Sequence, residues 1–277
     1  MKFTKMHGLG NDFAVVAEFS SVPERIAELA VAVCDRHFGA GADGLVLILP
    51  SNKADFQMRI FNADGTEPEQ CGNAVRCVGK YVYDHGLTDR TEITVETGAG
   101  VQRLQLETRD GKVTRVTVDM GLPILQGLLI PTDVDAEQVV AAPLRVDGEE
   151  YRYTAVSMGN PHVVLFVDSL ADVDLHGIGP KIETHERFPR KANVEFVQVH
   201  AQNEVTMHVW ERGVGETLAC GSGACAVGVA GVLEGRTSRE VTVHLKGGDL
   251  LIRWDENDGR VYMTGPAVSV YDAVWNG

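Results

Sequence analysis

Cys71-Gly72-Asn73-Ala74, running through an apolar stretch to Gly86, is followed 149 residues later by Cys220-Gly221-Ser222-Gly223, running to Gly235. An offset taken from one pair of motifs can be tested on the rest of the chain. At 149 residues Gly10-Asn11 falls on Gly159-Asn160, each before an apolar run, Ala14-Val15-Val16 and Val163-Val164-Leu165. Met58-Arg59-Ile60-Phe61 falls on Met207-His208-Val209-Trp210, Gly79 on Gly228, Arg90 on Arg239 and Gly98 on Gly247. No gap is needed between about residue 5 and about residue 100. Chance pairing of common glycines and valines does not give an ungapped run of this length, so the chain is read as an internal duplication.

The local patterns agree with that reading. Leu45 to Leu49 and Phe56 to Phe61 read as short strands bounded by turn residues, with counterparts at Val194 to Val199 and Val205 to Trp210. After each strand pair come a glycine-bearing turn, a cysteine and a helical stretch, Ala74 to Asp84 and Ala224 to Leu233. Gly86 and Gly235 stand where helix C-termini are expected. Further strands are expected at 92–96, 102–107, 113–120, 241–245, 250–254 and 260–264, mostly antiparallel through tight turns such as Asp110-Gly111. The expected fold is α/β of the α+β kind. Two pseudo-symmetric lobes, 1–120 plus 266–277 and 121–265, each wrap a curved, mostly antiparallel sheet around a central helix, with the active site in the cleft between them.

Composition narrows the function. An apolar share of 44% and a charged share of 23% suit a globular protein with a well-buried core. A formal net charge of −14 argues against nucleic acid or an anionic membrane as partner, because both call for a basic surface. No stretch approaches the ~18 apolar residues of a membrane span. Met1-Lys2-Phe3-Thr4-Lys5 leads into a strand rather than an export signal, and the cysteine count is odd (Cys34, Cys71, Cys77, Cys220, Cys225). Both features fit reduced thiols in a cytoplasm. The Cys-x5-Cys and Cys-x4-Cys spacings lack a second close ligand pair, so no metal is expected.

A cysteine at a helix start meets unpaired N–H groups and the positive end of the helix dipole, which favour a thiolate and bind a carboxylate. Here the arrangement occurs twice. Two thiols flanking one point suit a two-base racemase, in which a thiolate removes an α-proton and a thiol delivers one to the opposite face. The Gly72-Asn73 and Gly221-Ser222 amides would then stabilise charge developing on the substrate carboxylate. Cys34, Cys77 and Cys225 read as core packing. Asn62, Asn160 and Asn193, taken singly, are turn residues. His162 alone reads as a core histidine, and Glu211-Arg212 as an exposed turn pair.

Several stretches resemble the diaminopimelate epimerase family: His7-Gly8-Leu9-Gly10-Asn11-Asp12-Phe13, Phe61-Asn62-Ala63-Asp64-Gly65, Gln70-Cys71-Gly72-Asn73, Gly159-Asn160-Pro161-His162, Ala192-Asn193-Val194-Glu195-Phe196, and Trp210-Glu211-Arg212-Gly213 through Ala219-Cys220-Gly221-Ser222-Gly223. They come in the family's order along nearly the whole chain. The resemblance implies interconversion of LL- and meso-2,6-diaminopimelate, without pyridoxal phosphate or metal, in lysine and peptidoglycan precursor synthesis. It implies Cys71 and Cys220 as the base and acid pair, with His162 and Glu211 tuning them. Gly72, Asn73, Gly221 and Ser222 would hold the reacting carboxylate and amino group. Asn11, Asn62, Asn160, Asn193, Glu211 and Arg212 would grip the rest of the substrate. It also implies a homodimer, with Tyr271 at the contact. One departure is Gly44, where several relatives carry glutamine; glycine offers no side-chain hydrogen bond.

Three alternatives are weighed against this. A proline or hydroxyproline racemase would share both cysteines but usually has histidine at the place of Asn73. A non-catalytic amino-acid-binding protein on the same fold predicts a missing cysteine. A thiol redox protein calls for a local Cys-x-x-Cys.

Overall fold

The computed structural model describes residues 1–68 and 71–277; Gln70 of the quoted Gln70-Cys71 stretch lies outside the described residues. The chain runs β1 (Lys2–Gly8), β2 (Asn11–Val16), α1 (Ile26–Cys34), β3 (Gly44–Leu49), β4 (Phe56–Asn62), α2 (Gly72–Asp84), β5 (Glu92–Thr97), β6 (Gly100–Arg109), β7 (Lys112–Asp119), β8 (Val139–Val146), β9 (Glu149–Ser157) and β10 (Pro161–Val167). It continues with α3 (Leu175–Glu183), β11 (Asn193–Ala201), β12 (Glu204–Glu211), β13 (Gly215–Glu216), α4 (Gly221–Leu233), β14 (Glu240–Leu245), β15 (Gly248–Trp254), β16 (Val261–Gly265) and β17 (Val268–Val274). This is a strand-rich α+β fold with two compact units, Met1–Asp119 with Thr264–Gly277, and Met120–Met263.

The two units are built to one plan. α1 and α3, β3 and β11, and α2 and α4 each start 149 residues apart. In the first unit β1–β2 is antiparallel, β2–β3 parallel, β3–β4 antiparallel, β4–β5 parallel and β5–β6 antiparallel. The second unit repeats that order in β9–β10, β10–β11, β11–β12, β12–β14 and β14–β15. A flanking antiparallel strand completes each, β17 on β1 and β8 on β9. Thus the outer strand of the first unit comes from the far end of the chain, whereas that of the second immediately precedes it.

α2 and α4 are the central helices. α2 buries Asn73 through Gly79, and α4 buries every residue from Gly223 to Gly231. A helix this enclosed needs small residues where a strand crosses it. A Cβ on Gly79 would lie 2.9 Å from Leu104 Cδ2, and one on Gly228 would lie 2.7 Å from Ile252 Cγ2. The glycine pair at the offset is therefore a packing requirement. Gly228→Leu is expected to destabilise the protein by about 1–3 kcal/mol through overpacking. Gly235→Asn, at φ +67 in open space, is expected to stay within about 0.5 kcal/mol of the parent. Thermal melting of both variants checks the contrast. Gly86 and Gly235 sit at positive φ just past the two helices, where they let the chain turn away.

Sequence periodicity alone does not show α1 and α3. α3 reads Leu-His-Gly-Ile-Gly-Pro-Lys-Ile-Glu, with two glycines and Pro180 inside the helix. Intrinsic propensity is against it. Asp174 caps it by accepting from the Gly177 N–H at 3.0 Å, and Gly179 lets it lie against the Trp210 ring.

Candidate active site

The second unit gathers most of the expected site residues. On β10, β11 and β12, His162 is in register with Asn193, and Val194 with Trp210, which brings Asn193 alongside Glu211. One face of the sheet therefore presents His162, Asn193 and Glu211 in a row at the strand ends. The next row inward is Val164, Glu195 and Val209. α4 begins against this face, with Cys220 at its N-cap in an extended conformation.

Glu195 is the residue that motif reading missed. It and His162 are both fully buried, and His162 Nδ1 lies 2.6 Å from Glu195 Oε1. The other ring nitrogen, Nε2, is 3.0 Å from Asn160 Oδ1. Atoms of His162, Glu195 and Cys220 all lie within 4.8 Å of one another. Those are metal-ligand residue types, but two donors on a tetrahedral zinc stand about 3.3 Å apart. The 2.6 Å separation is instead that of a charge-assisted hydrogen bond. Gly223 makes room for the cluster, since a Cβ there would lie 2.7 Å from Glu195 Oε1 and 3.2 Å from Cys220 Sγ.

The charge environment of Cys220 differs from what a helix start alone predicts. Burial pushes its thiol well above the usual range, and the neighbouring Glu211 and Glu195 carboxylates push it further. The Ser222 hydroxyl, 3.7 Å from the sulfur, and the Gly223 N–H act the other way without prevailing. Dehydration and two acids thus outweigh the helix dipole, and Cys220 is the thiol that holds its proton. Burial also raises Glu211, against a 2.5 Å hydrogen bond from Thr217 Oγ1, the charge of His162 and a contact with Cys220.

Asn193 uses its amide in both directions. Nδ2 donates to the Pro161 carbonyl at 2.9 Å, and Oδ1 accepts from the Arg212 N–H at 3.0 Å. It therefore fixes the loop carrying Arg212, whose exposed side chain reaches the Arg190 carbonyl at 3.2 Å.

In the first unit, Cys71 caps α2 in the same extended conformation. Its Sγ lies 3.7 Å from Asn11 Oδ1, which also accepts from Asn73 Nδ2 at 3.2 Å. The matching strand row is Phe13, Gly44 and Asn62, and the row behind it is Val15, Val46 and Ile60. The two lobes' rows therefore differ: Phe13 stands where His162 does, Val46 where Glu195 does, and Asn62 where Glu211 does. Asn62 Nδ2 donates to Thr66 Oγ1 at 3.0 Å. A Cβ on Gly44 would meet the Phe61 carbonyl at 3.0 Å, so a larger residue there needs the neighbouring strand to shift.

Asn11 is held from behind. Asp43 Oδ2 accepts from Asn11 Nδ2 at 2.8 Å and from the Asp12 N–H at 3.0 Å, and Arg36 Nη2 bonds both acids. Burial would raise the Asp12 carboxyl, but hydrogen bonds from Arg36 and Lys5 win and lower it from 3.8 to about 2. A depressed carboxyl stabilises the fold above its unfolded value and ceases to do so as pH falls. Asp12 should thus contribute about 2 kcal/mol above pH ~4, lost between about pH 4 and 2. In Asp12→Asn, urea denaturation should show that part of the acid sensitivity missing.

Cys34 and Cys77 are structural. Both are buried in apolar surroundings that raise their thiols to about 11 and about 12. Tyr271 lies on β17, exposed and edge-on to Phe3 with ring centroids 6.4 Å apart.

A duplicated α+β unit with a cysteine opening each central helix has the fold of the racemase and epimerase class. A hydroxyproline epimerase from Agrobacterium vitis, solved with trans-4-hydroxy-L-proline bound, superposes with a TM-score of 0.69 at 16% identity, over 99% of this chain and 90% of that one. A phenazine-biosynthesis protein from Bacillus anthracis does so at 0.70 and 16%, over 99% and 98%. The family model described as Diaminopimelate epimerase matches residues 3–125 and 154–270. The diaminopimelate epimerase of Acetivibrio thermocellus is 56% identical over 98% of this chain and 97% of its own length. That of Methanococcus maripaludis is 53% identical over 98% of both. The chain belongs to the diaminopimelate epimerase family.

Proposed function

We propose that Cys71 and Cys220 work as a base and acid pair on opposite faces of one α-carbon of diaminopimelate. The activity is the interconversion of LL- and meso-2,6-diaminopimelate, a step that supplies lysine and peptidoglycan precursors. The observation that carries the mechanism is the burial of Cys220 against Glu211 and Glu195 at the start of α4. Such a thiol is loaded with a proton, as one arm of a two-base reaction must be. Delivering that proton leaves a thiolate, which is the base for the reverse direction.

The remaining roles are those the family resemblance implies. The first N–H groups of α2 and α4, at Gly72, Asn73, Gly221 and Ser222, would receive the reacting carboxylate and amino group. Asn11, Asn62, Asn160, Asn193, Glu211 and Arg212 would hold the rest of the substrate. The working lobes would be 1–120 with 266–277 and 121–265. We place the enzyme in the cytoplasm and assign it a homodimer with Tyr271 at the contact. No helix among the described residues is long and apolar enough to cross a membrane.

The test is incubation of purified, reduced protein with LL-diaminopimelate and, separately, with L-proline, followed by chiral chromatography. Meso-diaminopimelate is expected and no D-proline. Turnover of proline alone would contradict the substrate.

A further inference from the structure

The second thiol stands close to a buried ionisable pair. At the offset of 149 residues, Phe13 and Val46 stand where His162 and Glu195 stand. An ionisable pair has thus been built into one lobe, fully buried, at a place where the other lobe is hydrocarbon.

The contacts of the ring fix its protons. His162 Nδ1 faces Glu195 Oε1 at 2.6 Å, and Nε2 faces Asn160 Oδ1 at 3.0 Å. A neutral imidazole has one N–H and one lone pair, so it satisfies one of these oxygens and turns a lone pair on the other. A ring with two protons satisfies both. The 2.6 Å separation of Nδ1 and Oε1 is that of a charge-assisted hydrogen bond, a ring N–H donating to a carboxylate oxygen. Glu195 Oε2, also buried, has no hydrogen-bond partner among the described residues. Among the described residues, the titratable groups facing the ring are Glu195 on β11, Glu211 on β12 and Cys220 at the start of α4.

We propose that Glu195 is a positioning residue for the epimerisation: its carboxylate holds His162 as a doubly protonated ring, and that cation lets the buried Cys220 sulfur carry negative charge beside Glu211 during turnover. The proposal rests on Cys220 being a proton carrier. Without that carboxylate no counter-charge holds the second proton on the buried ring. The Cys220 thiolate would then face Glu211 with no cation beside it, so the defect should deepen as pH rises.

The first measurement uses the wild-type enzyme labelled with ¹⁵N-histidine. Long-range ¹H–¹⁵N spectra, with His162 assigned by its absence in His162→Gln, should show both ring nitrogens protonated from pH 6 to 8. One unprotonated nitrogen at pH 7.5 would overturn the proposal, whether or not any variant folds. The second is the pH profile of Glu195→Gln. Its kcat/KM should fall about 10- to 100-fold at pH 8, with the deficit shrinking toward pH 6, and Glu195→Asp should recover the wild-type profile shape. A folded Glu195→Gln enzyme with an unchanged profile would also overturn it. The underlying reading fails separately: Cys220→Ser exchanging the substrate α-proton at the wild-type rate would remove Cys220 from the chemistry, whatever the ring holds.

Discussion

Cys71→Ala and Cys220→Ala should each lower kcat for diaminopimelate epimerisation by at least about 10³-fold, because a positioned acid or base contributes about 10²–10⁴ and inversion needs both. Each sulfur stands at an N-cap, where it is at most a weak hydrogen-bond acceptor, so the helix start should not depend on it. Cys220 is only 6% exposed, and its replacement by alanine removes one buried atom. The fold should therefore survive, with melting temperatures within a few degrees of the parent. Cys77→Ala makes the contrast. That thiol is fully buried in α2 with its proton held to about 12, so its loss should cost stability and leave kcat unchanged. Steady-state kinetics with parallel melting curves separates the two classes. A helix-start variant with near-parental kcat would contradict the assignment of that thiol.

Arg76→Leu should be the most damaging substitution for stability, at roughly 3–5 kcal/mol, or roughly 6–15 °C in melting temperature. Arg76 is completely buried on α2. Its guanidinium donates to the Pro266 carbonyl at 3.1 Å, the Gly72 carbonyl at 3.2 Å and Asn73 Oδ1 at 2.9 Å. One planar fork thus ties the C-terminal segment to the first turn of the helix that Cys71 opens. It lies so close to β1 that a Cβ on Gly8 would be 2.9 Å from Nη2. Leucine would fill the space but leave these oxygens unsatisfied. Lysine, with a single ammonium, cannot span them, so Arg76→Lys should recover little. Calorimetry of both variants checks this. Because Asn73 shares Asn11 with Cys71, the folded fraction of either variant should also turn over more slowly.

The duplication was readable because its offset holds across strands, helices and turns without a gap. The two thiols proposed as the base and acid pair followed because helix-start cysteines recur at that offset. His162 and Glu211 entered only through resemblance, since one histidine in an apolar strand and one acid at a turn say little alone. Glu195 was missed for an instructive reason. It lies inside Asn193-Val194-Glu195-Phe196-Val197, a run buried at every position, and nothing in its spacing to Cys220 links the two. A signal was nevertheless present in the offset, which pairs Glu195 with Val46 and His162 with Phe13. Two ionisable residues replacing two apolar ones in adjacent strands mark a buried pair. Helix α3 was illegible because its glycines and proline hide a helix that depends on packing against Trp210. The expectation of an acidified Cys220 failed because helix-end arguments omit the burial and the acids that tertiary structure brings to the sulfur.

The central claim is that two different thiols handle the two faces of one carbon. Initial-rate epimerisation of LL-diaminopimelate in D₂O, with isotope analysis of both product and recovered substrate, tests it most directly. The account predicts deuterium at the inverted α-carbon of the meso product and none in recovered LL substrate at low conversion. Meso product that retains the substrate's own α-proton would mean that a single base removes and returns it, and would contradict the two-thiol mechanism.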